Sequence, residues 1–130
     1  MKRRALVVDD DDSSRFVLSR ALEALGFQVI VAEDGADVPE LAAQHPFDLL
    51  VVDLYMPGMN GFELLRRIRT PDPGFLPAPR TRPSVSVLVV SGESNAASIA
   101  NAKSLGANGY LVKPVDVEEL EHTVHTLLDR

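Results

Sequence analysis

The chain has 130 residues, no cysteine and a formal net charge of −6 at pH 7. This length suits one ordinary globular domain and excludes a two-domain enzyme, so we expect a single domain over residues 1–130. The absence of cysteine excludes disulfides and thiolate metal ligands and suits a reducing compartment. No apolar run is long enough to span a bilayer, and the apolar start stops at Asp9, too early for a signal peptide. We expect a cytoplasmic protein that binds neither membrane nor, given its negative charge, nucleic acid directly.

Short apolar runs and helical periodicity alternate along the chain. Runs rich in Val, Leu and Ile predict strands over residues 4–9, 28–33, 47–53, 85–91 and 109–112. Segments with apolar residues at helical spacing predict helices over residues 13–25, 60–69, 94–105 and 116–129. A further helix follows the second strand and contains Pro39, which is tolerated only in a first turn, so it should begin near Asp37. The alternation predicts a doubly wound α/β fold with a five-stranded parallel sheet and five flanking helices.

Residues 70–84 interrupt this alternation because they contain five of the nine prolines. Proline disfavours helix and strand pairing, so we predict an extended loop between the third helix and the fourth strand. A tolerated surface insertion is the favoured interpretation, and a Pro-rich docking segment is the alternative. The basic runs at residues 2–4 and at Arg66, Arg67 and Arg69 are interpreted as solvated faces.

Chemically reactive side chains follow four of the predicted strands. The first ends in Asp9 and Asp10, the third in Asp53, the fourth in Ser91 and the fifth in Lys113. Ligands of open parallel sheets bind beyond the carboxyl ends of the strands. If the first and third strands are neighbours, at about 4.8 Å, their carboxylates repel one another and need a positive partner.

Mg²⁺ with oxygen ligands fits this requirement best, and Lys113 adds a fixed positive charge. Such a site can receive a phosphoryl group, with a carboxylate as nucleophile and Ser91 as a hydrogen-bond donor. An Asp-Asp pair alone is more often a helix cap, and we interpret Asp11 and Asp12 as cap and solvent residues. The coincidence of suitable residues at successive strand ends favours the site.

Four motifs together resemble the receiver domain of two-component response regulators. They are Leu-Val-Val-Asp-Asp at 6–10, Asp-Leu-Tyr-Met-Pro-Gly-Met-Asn-Gly at 53–61, Val-Val-Ser-Gly at 89–92 and Gly-Ala-Asn-Gly-Tyr-Leu-Val-Lys-Pro at 106–114. The resemblance runs from Ala5 to Leu128 and implies a CheY-like sheet in strand order 2-1-3-4-5. It also implies phosphorylation of an aspartate by a histidine kinase or a histidine phosphotransfer protein.

The resemblance assigns roles to individual residues. Asp53 would be the phosphoacceptor. Asp10 would bind Mg²⁺ directly and Asp9 mainly through water, and the metal would also take an Asp53 oxygen and the backbone carbonyl of Tyr55. Lys113 would pair with the phosphoryl group.

Further family positions surround the phosphoryl group. Lys113 would precede a cis peptide bond to Pro114. Ser91 would hydrogen-bond the phosphoryl group, and Gly92 would leave it room. Tyr110 matches an aromatic switch that moves inward when Ser91 engages the phosphoryl group; the alternative is an ordinary half-exposed strand aromatic.

Two features depart from the family pattern. The 38 positions from Asp53 to Ser91 are several more than usual, and the excess falls in the Pro-rich loop. Tyr55 and Glu93 occupy positions that flank the path of the attacking water, where side chains tune the phosphoryl lifetime. We hypothesise that the bulky Tyr55 slows autodephosphorylation.

Three classes of protein function are compared for these residues. The leading one is a phosphorylation switch that catalyses only reactions of its own Asp53 and signals to a downstream protein target through the face built from the fourth helix, fifth strand and fifth helix. Its alternative is a passive phosphoryl carrier in a phosphorelay. In either case the chain could be a stand-alone protein or a domain of a larger one. An aspartyl-nucleophile phosphatase would want a carboxylate at Tyr55, and a nucleotide-binding module would want a Gly-rich loop after the first strand.

Overall fold

The computed structural model describes residues 2–70 and 80–129. Its strands form one parallel sheet in the order β2-β1-β3-β4-β5, which confirms the predicted fold and strand order. The strands are β1 (Arg4–Val8), β2 (Gln28–Ala32), β3 (Leu49–Val52), β4 (Ser86–Ser91) and β5 (Gly109–Val112). Three of the predicted strands extend one residue beyond these limits at their carboxyl ends, to Asp9, Glu33 and Asp53.

Five helices cover the two faces of the sheet. They are α1 (Asp12–Ala24), α2 (Val38–Gln44), α3 (Gly61–Arg69), α4 (Ala96–Ser104) and α5 (Val117–Leu128). The four longer helices, α1, α3, α4 and α5, each begin after an Asp or Asn whose side chain accepts a hydrogen bond from a first-turn N–H. A 3₁₀ turn, Gly35–Asp37, precedes α2 and places Pro39 in its first turn, as predicted.

The core has two halves, one on each side of the sheet. In β1, Leu6 and Val8 pack on one side, while Ala5 and Val7 pack on the other. All four side chains are buried, as the near-continuous apolarity of the strand indicated. The sheet therefore gives the residues that follow its central strands a rigid base.

Arg69 corrects the interpretation of the basic run on α3 as a solvated face. Arg66 and Arg67 are exposed, but the Arg69 guanidinium is half-buried and donates hydrogen bonds to the carbonyls of Val85 and Gly106, among others. Burial lowers the Arg69 pKa from its ordinary value. Gly106 has a φ of +110°, and a Cβ there would lie 2.7 Å from Arg69 Nε, so this contact requires glycine. Arg69 thus fastens the end of α3 to the segments that enter β4 and β5.

Most of the predicted Pro-rich loop, residues 71–79, lies outside the described residues. The part that follows is anchored by Thr81, which is buried. Its N–H donates to the Ala42 carbonyl, and its hydroxyl donates to the His45 carbonyl and accepts from the Phe47 N–H. This segment is therefore attached to the carboxyl end of α2. Within the described ranges, no helix combines the length and apolarity needed to cross a membrane.

Candidate functional site

Three carboxylates meet where β1 and β3 end. These strands are paired, with Val8 opposite Val52, so the residues that follow them are neighbours. Carboxylate oxygens of Asp9, Asp10 and Asp53 all lie within 4.8 Å of one another. Asp9 and Asp53 are buried, whereas Asp10 is exposed. The structure thus brings together the three carboxylates that the sequence predicted to converge.

Lys113 reaches this cluster from the end of β5. Its N–H donates to the Ser91 carbonyl, which continues the pairing of β4 and β5. Its Nζ lies 2.7 Å from Asp9 Oδ2 and 3.2 Å from Asp53 Oδ2. The peptide bond from Lys113 to Pro114 is cis, as the resemblance implied. One ammonium group therefore faces two buried carboxylates.

The charges in the site are incompletely balanced. Burial raises the pKa of Asp53; the charge of Asp9 raises it further, and the charge of Lys113 opposes both. Burial acts to lower the pKa of Lys113, but the Asp9 hydrogen bond and the charges of Asp53 and Asp9 outweigh it, so that pKa is raised. Burial thus disfavours the ionised form of Asp53, whereas the neighbouring carboxylates favour the charged form of Lys113.

The donor set suits a hard divalent cation. All three side chains offer oxygen, and the exposure of Asp10 leaves access from solvent. Mg²⁺ takes one or two carboxylates and retains water, and these side chains could supply such ligands. The residues present therefore fit Mg²⁺, and its charge would offset the surplus of carboxylates.

The loop after β3 holds Tyr55 beside Asp53. The Tyr55 N–H lies 3.3 Å from Asp53 Oδ1, and its hydroxyl lies 3.2 Å from Ser98 Oγ in α4. The ring, 53% exposed, also meets Phe62 edge-on. A Cβ at Gly61 would lie 2.5 Å from the Asp53 carbonyl oxygen, so only glycine permits this loop to return so closely. Tyr55 thus stands at the mouth of the site and contacts α4.

The residues expected to surround the phosphoryl group lie around the end of β4. Ser91 is buried, and its Oγ accepts a hydrogen bond from the Glu93 N–H at 3.2 Å. A Cβ built at Gly92 meets no atom within 4 Å, so there is open space at this position. The half-buried Tyr110 donates its hydroxyl to the Glu93 carbonyl at 2.6 Å. This hydrogen bond ties the Tyr110 side chain to the loop that follows Ser91.

Sequence reasoning missed Arg15, in the first turns of α1. Its side chain is 12% exposed, and Nη1 donates to the Asp9 main-chain carbonyl at 2.8 Å. Nη2 pairs with the Asp12 carboxylate and lies 3.4 Å from Glu33 Oε1. The spacing of Asp12 and Arg15, three residues apart on a helix, was a signal for the first pair. The long-range contact with Asp9 could not be found without the fold.

Comparison with known proteins agrees with this arrangement. A sequence profile described as the response regulator receiver domain matches residues 5–125. Protein PilH of Pseudomonas aeruginosa is 35% identical over 125 residues, covering 96% of this chain and 97% of PilH. The chemotaxis protein CheY of the same organism is 33% identical over 128 residues, covering 98% of this chain and 97% of CheY. The DNA-binding transcriptional regulator NtrC of Escherichia coli is 37% identical over 113 residues, which are 87% of this chain and 22% of NtrC.

Solved structures agree as well. The chemotaxis protein CheY4 of Vibrio cholerae superposes with a TM-score of 0.82 at 29% identity, covering 98% of this chain and 100% of that one. A putative response regulator from Chloroflexus aurantiacus gives a TM-score of 0.87 at 27% identity and covers 100% of both chains. The fold, the strand-end residues and these relatives lead to one conclusion: the chain belongs to the response regulator receiver domain family.

Proposed function

We propose that this receiver is a Mg²⁺-dependent phosphorylation switch whose phosphoacceptor is Asp53. The observation that carries the proposal is the convergence of Asp53 with Asp9, Asp10 and Lys113 at one edge of the sheet. A nucleophile, two further oxygen ligands and an ammonium group are thereby placed together. The family works with kinases and downstream effectors, so we propose a histidine kinase or a histidine phosphotransfer protein as the donor.

The transfer is a displacement at phosphorus. An Asp53 carboxylate oxygen forms the new bond to phosphorus, the phosphorus–nitrogen bond of the donor phosphohistidine breaks, and the nitrogen keeps the electron pair. Asp9, Asp10, Asp53 and the Tyr55 backbone carbonyl are the proposed ligands of Mg²⁺, which when bound offsets charge on the phosphoryl oxygens. Lys113 is placed to pair with those oxygens from the β5 side.

The proposed output follows from the loop after β4. Ser91 Oγ, which now accepts from the Glu93 N–H, would turn toward the phosphoryl group, for which Gly92 leaves space. That movement would disturb the loop whose Glu93 carbonyl holds the Tyr110 hydroxyl. Tyr110 belongs to β5, so the change reaches the face of α4, β5 and α5, where we place the contact with a downstream protein.

The proposed reactions involve only the chain's own phosphoacceptor. We propose that the protein catalyses only phosphorylation and dephosphorylation of its own Asp53 and is not an enzyme acting on external phosphoesters. The exposed aromatic side chain of Tyr55, where such an enzyme would want an acid–base carboxylate, supports this. We also propose a cytoplasmic location, which the absence of cysteine suits.

Intact mass measurement after incubation with a small-molecule phosphodonor tests the proposal. The wild-type protein should gain one phosphoryl group with Mg²⁺ and none with EDTA. Asp53→Asn should gain none, whereas Asp37→Asn, at an exposed aspartate without a capping hydrogen bond, should behave as wild type. Addition that persists in Asp53→Asn would overturn the assignment. A pull-down of protein targets with and without phosphodonor then separates a switch from a passive carrier, because only a switch changes its target binding.

A further inference from the structure

Arg15 is a half-buried cation that the proposed chemistry does not use. It lies in the first turns of α1, where its N–H donates to the Asp11 carbonyl at 3.0 Å. Most arginine side chains on helices extend into solvent, but the Arg15 side chain is only 12% exposed. Its position is set by specific partners at the end of β1 and near the end of β2.

The main chain of Asp9 is held on both sides. Its N–H donates to the Ala32 carbonyl at 3.1 Å, which extends the pairing of β1 and β2. Its carbonyl accepts from Arg15 Nη1 at 2.8 Å. The Asp11 N–H also donates to Asp9 Oδ1 at 2.9 Å, so the turn that presents Asp10 is closed by the residue that Arg15 holds.

The charge of Arg15 is largely matched by its own partners. Nη2 pairs with the Asp12 carboxylate and lies 3.4 Å from Glu33 Oε1. The positive charge that faces the carboxylate cluster is instead that of Lys113. The contribution of Arg15 to the cluster is therefore geometrical: a planar fork donates to a carbonyl with one nitrogen and to carboxylates with the other.

We propose that Arg15 is a positioning residue of the cation site, whose guanidinium fixes the Asp9 main chain so that the Asp9 and Asp10 carboxylates converge with Asp53. The inference rests on the proposed function for the identity of the cation as Mg²⁺. Partners that orient metal ligands affect metal affinity by roughly 10–100-fold when they are removed. Arg15 acts one step further back, through the main chain, so we expect the lower end of that range.

Calorimetric titration of Mg²⁺ into the unphosphorylated full chain tests the proposal. Arg15→Lys keeps the charge but cannot form the planar fork, and we expect its Mg²⁺ affinity to fall roughly tenfold. Arg15→Ala should fall at least as far. The control is Arg20→Lys on the same helix, which should leave Mg²⁺ affinity unchanged because the Arg20 guanidinium lies over the Phe16 ring. Urea unfolding in EDTA establishes whether each variant is folded. If Arg15→Ala does not fold, Arg15→Lys alone serves as the test.

A second readout separates positioning from general damage. Arg15→Lys should need roughly tenfold more Mg²⁺ for half-maximal phosphorylation, with a rate at saturating Mg²⁺ within about twofold of wild type. Mg²⁺ affinity of Arg15→Lys within twofold of wild type, or an equal loss in Arg20→Lys, would overturn the role of Arg15 and leave the proposed function standing. Wild-type protein that binds no Mg²⁺ would overturn both.

Discussion

Replacing Asp53 by asparagine should stabilise the metal-free fold, although it removes the proposed phosphoacceptor. Asp53 is buried, with carboxylate oxygens of Asp9 within 4.8 Å and Lys113 Nζ at 3.2 Å. At an effective dielectric constant of about 20, Asp9 repels by at least about 3.5 kcal/mol and Lys113 attracts by about 5 kcal/mol. The attraction exceeds the repulsion by at most about 1.5 kcal/mol. The cost of burying the charge, several kcal/mol in protein interiors, is larger and decides the sign.

Because burial raises the pKa of Asp53, its ionised form destabilises the folded state above that pKa. We expect Asp53→Asn to raise the free energy of unfolding by roughly 1 kcal/mol at pH 7 in EDTA, the size expected after removal of an incompletely paired buried charge. As the pH falls through the folded-state pKa toward the ordinary carboxyl range, wild-type Asp53 takes up a proton and its cost disappears. The advantage of the asparagine variant should therefore shrink at acid pH.

Urea unfolding followed by circular dichroism measures this difference. The control Asp37→Asn changes an exposed carboxylate and should stay within about 0.5 kcal/mol of wild type. Adding Mg²⁺ at a hundred times its dissociation constant should stabilise the wild type by about 2.7 kcal/mol, and Asp53→Asn should gain less. If Asp53→Asn is less stable than wild type in EDTA at pH 7 while Asp37→Asn is unchanged, the reasoning on burial and charge is wrong.

Three further substitutions test other parts of the structure. Arg69→Ala should lower the free energy of unfolding by about 2 kcal/mol because charged hydrogen bonds to part-buried carbonyls are lost, whereas Arg66→Ala, at an exposed arginine, should change it by less than about 0.5 kcal/mol; equal urea midpoints would contradict the fastening role. Tyr55→Asn should shorten the lifetime of the phosphorylated protein, followed by intact mass over time, and an unchanged lifetime would refute the hypothesis that Tyr55 slows autodephosphorylation. Tyr110→Phe removes the hydroxyl donated to the Glu93 carbonyl and should cost about 1 kcal/mol in urea unfolding without slowing phosphorylation of Asp53; a slower phosphorylation rate would place Tyr110 in the transfer step.

The fold was accessible from the sequence because local and long-range signals coincide. The apolar runs that predicted β1 and β3 are buried on both faces, and the predicted helix over residues 60–69 is α3, which Asn60 caps by accepting from the Glu63 N–H. The predicted ends of β1 and β3 lie one residue too late. The N–H groups of Asp9 and Asp53 still donate to carbonyls of the neighbouring strands, but their carboxylates form the site. The residue type at these two positions is explained by the chemistry of the site and not by the pattern of the strand.

The carboxylate cluster was predictable for a topological reason, and the arginines were not. Parallel strands direct their carboxyl ends to one edge, so Asp9, Asp53 and Lys113 share that edge once the strands are assigned, and the strand order implied by the family resemblance makes Asp9 and Asp53 neighbours. Arg69 follows Leu65 by four residues, which places it beside the buried stripe of α3, but its acceptors come from distant segments. The position of Arg15 likewise depends on its hydrogen bond to the Asp9 carbonyl. Because every residue has a main-chain carbonyl, the sequence does not mark which one will accept.

The identity of the phosphorylated residue is the most direct test of the central claim. Borohydride reduction converts an aspartyl phosphate to homoserine, which peptide mass spectrometry can locate after treatment with phosphodonor and Mg²⁺. We predict homoserine at position 53 in the wild-type protein, none when EDTA replaces Mg²⁺, and none at any position in Asp53→Asn. Homoserine at another carboxylate of the cluster, such as Asp9 or Asp10, or no homoserine in the wild type despite added phosphoryl mass, would contradict it.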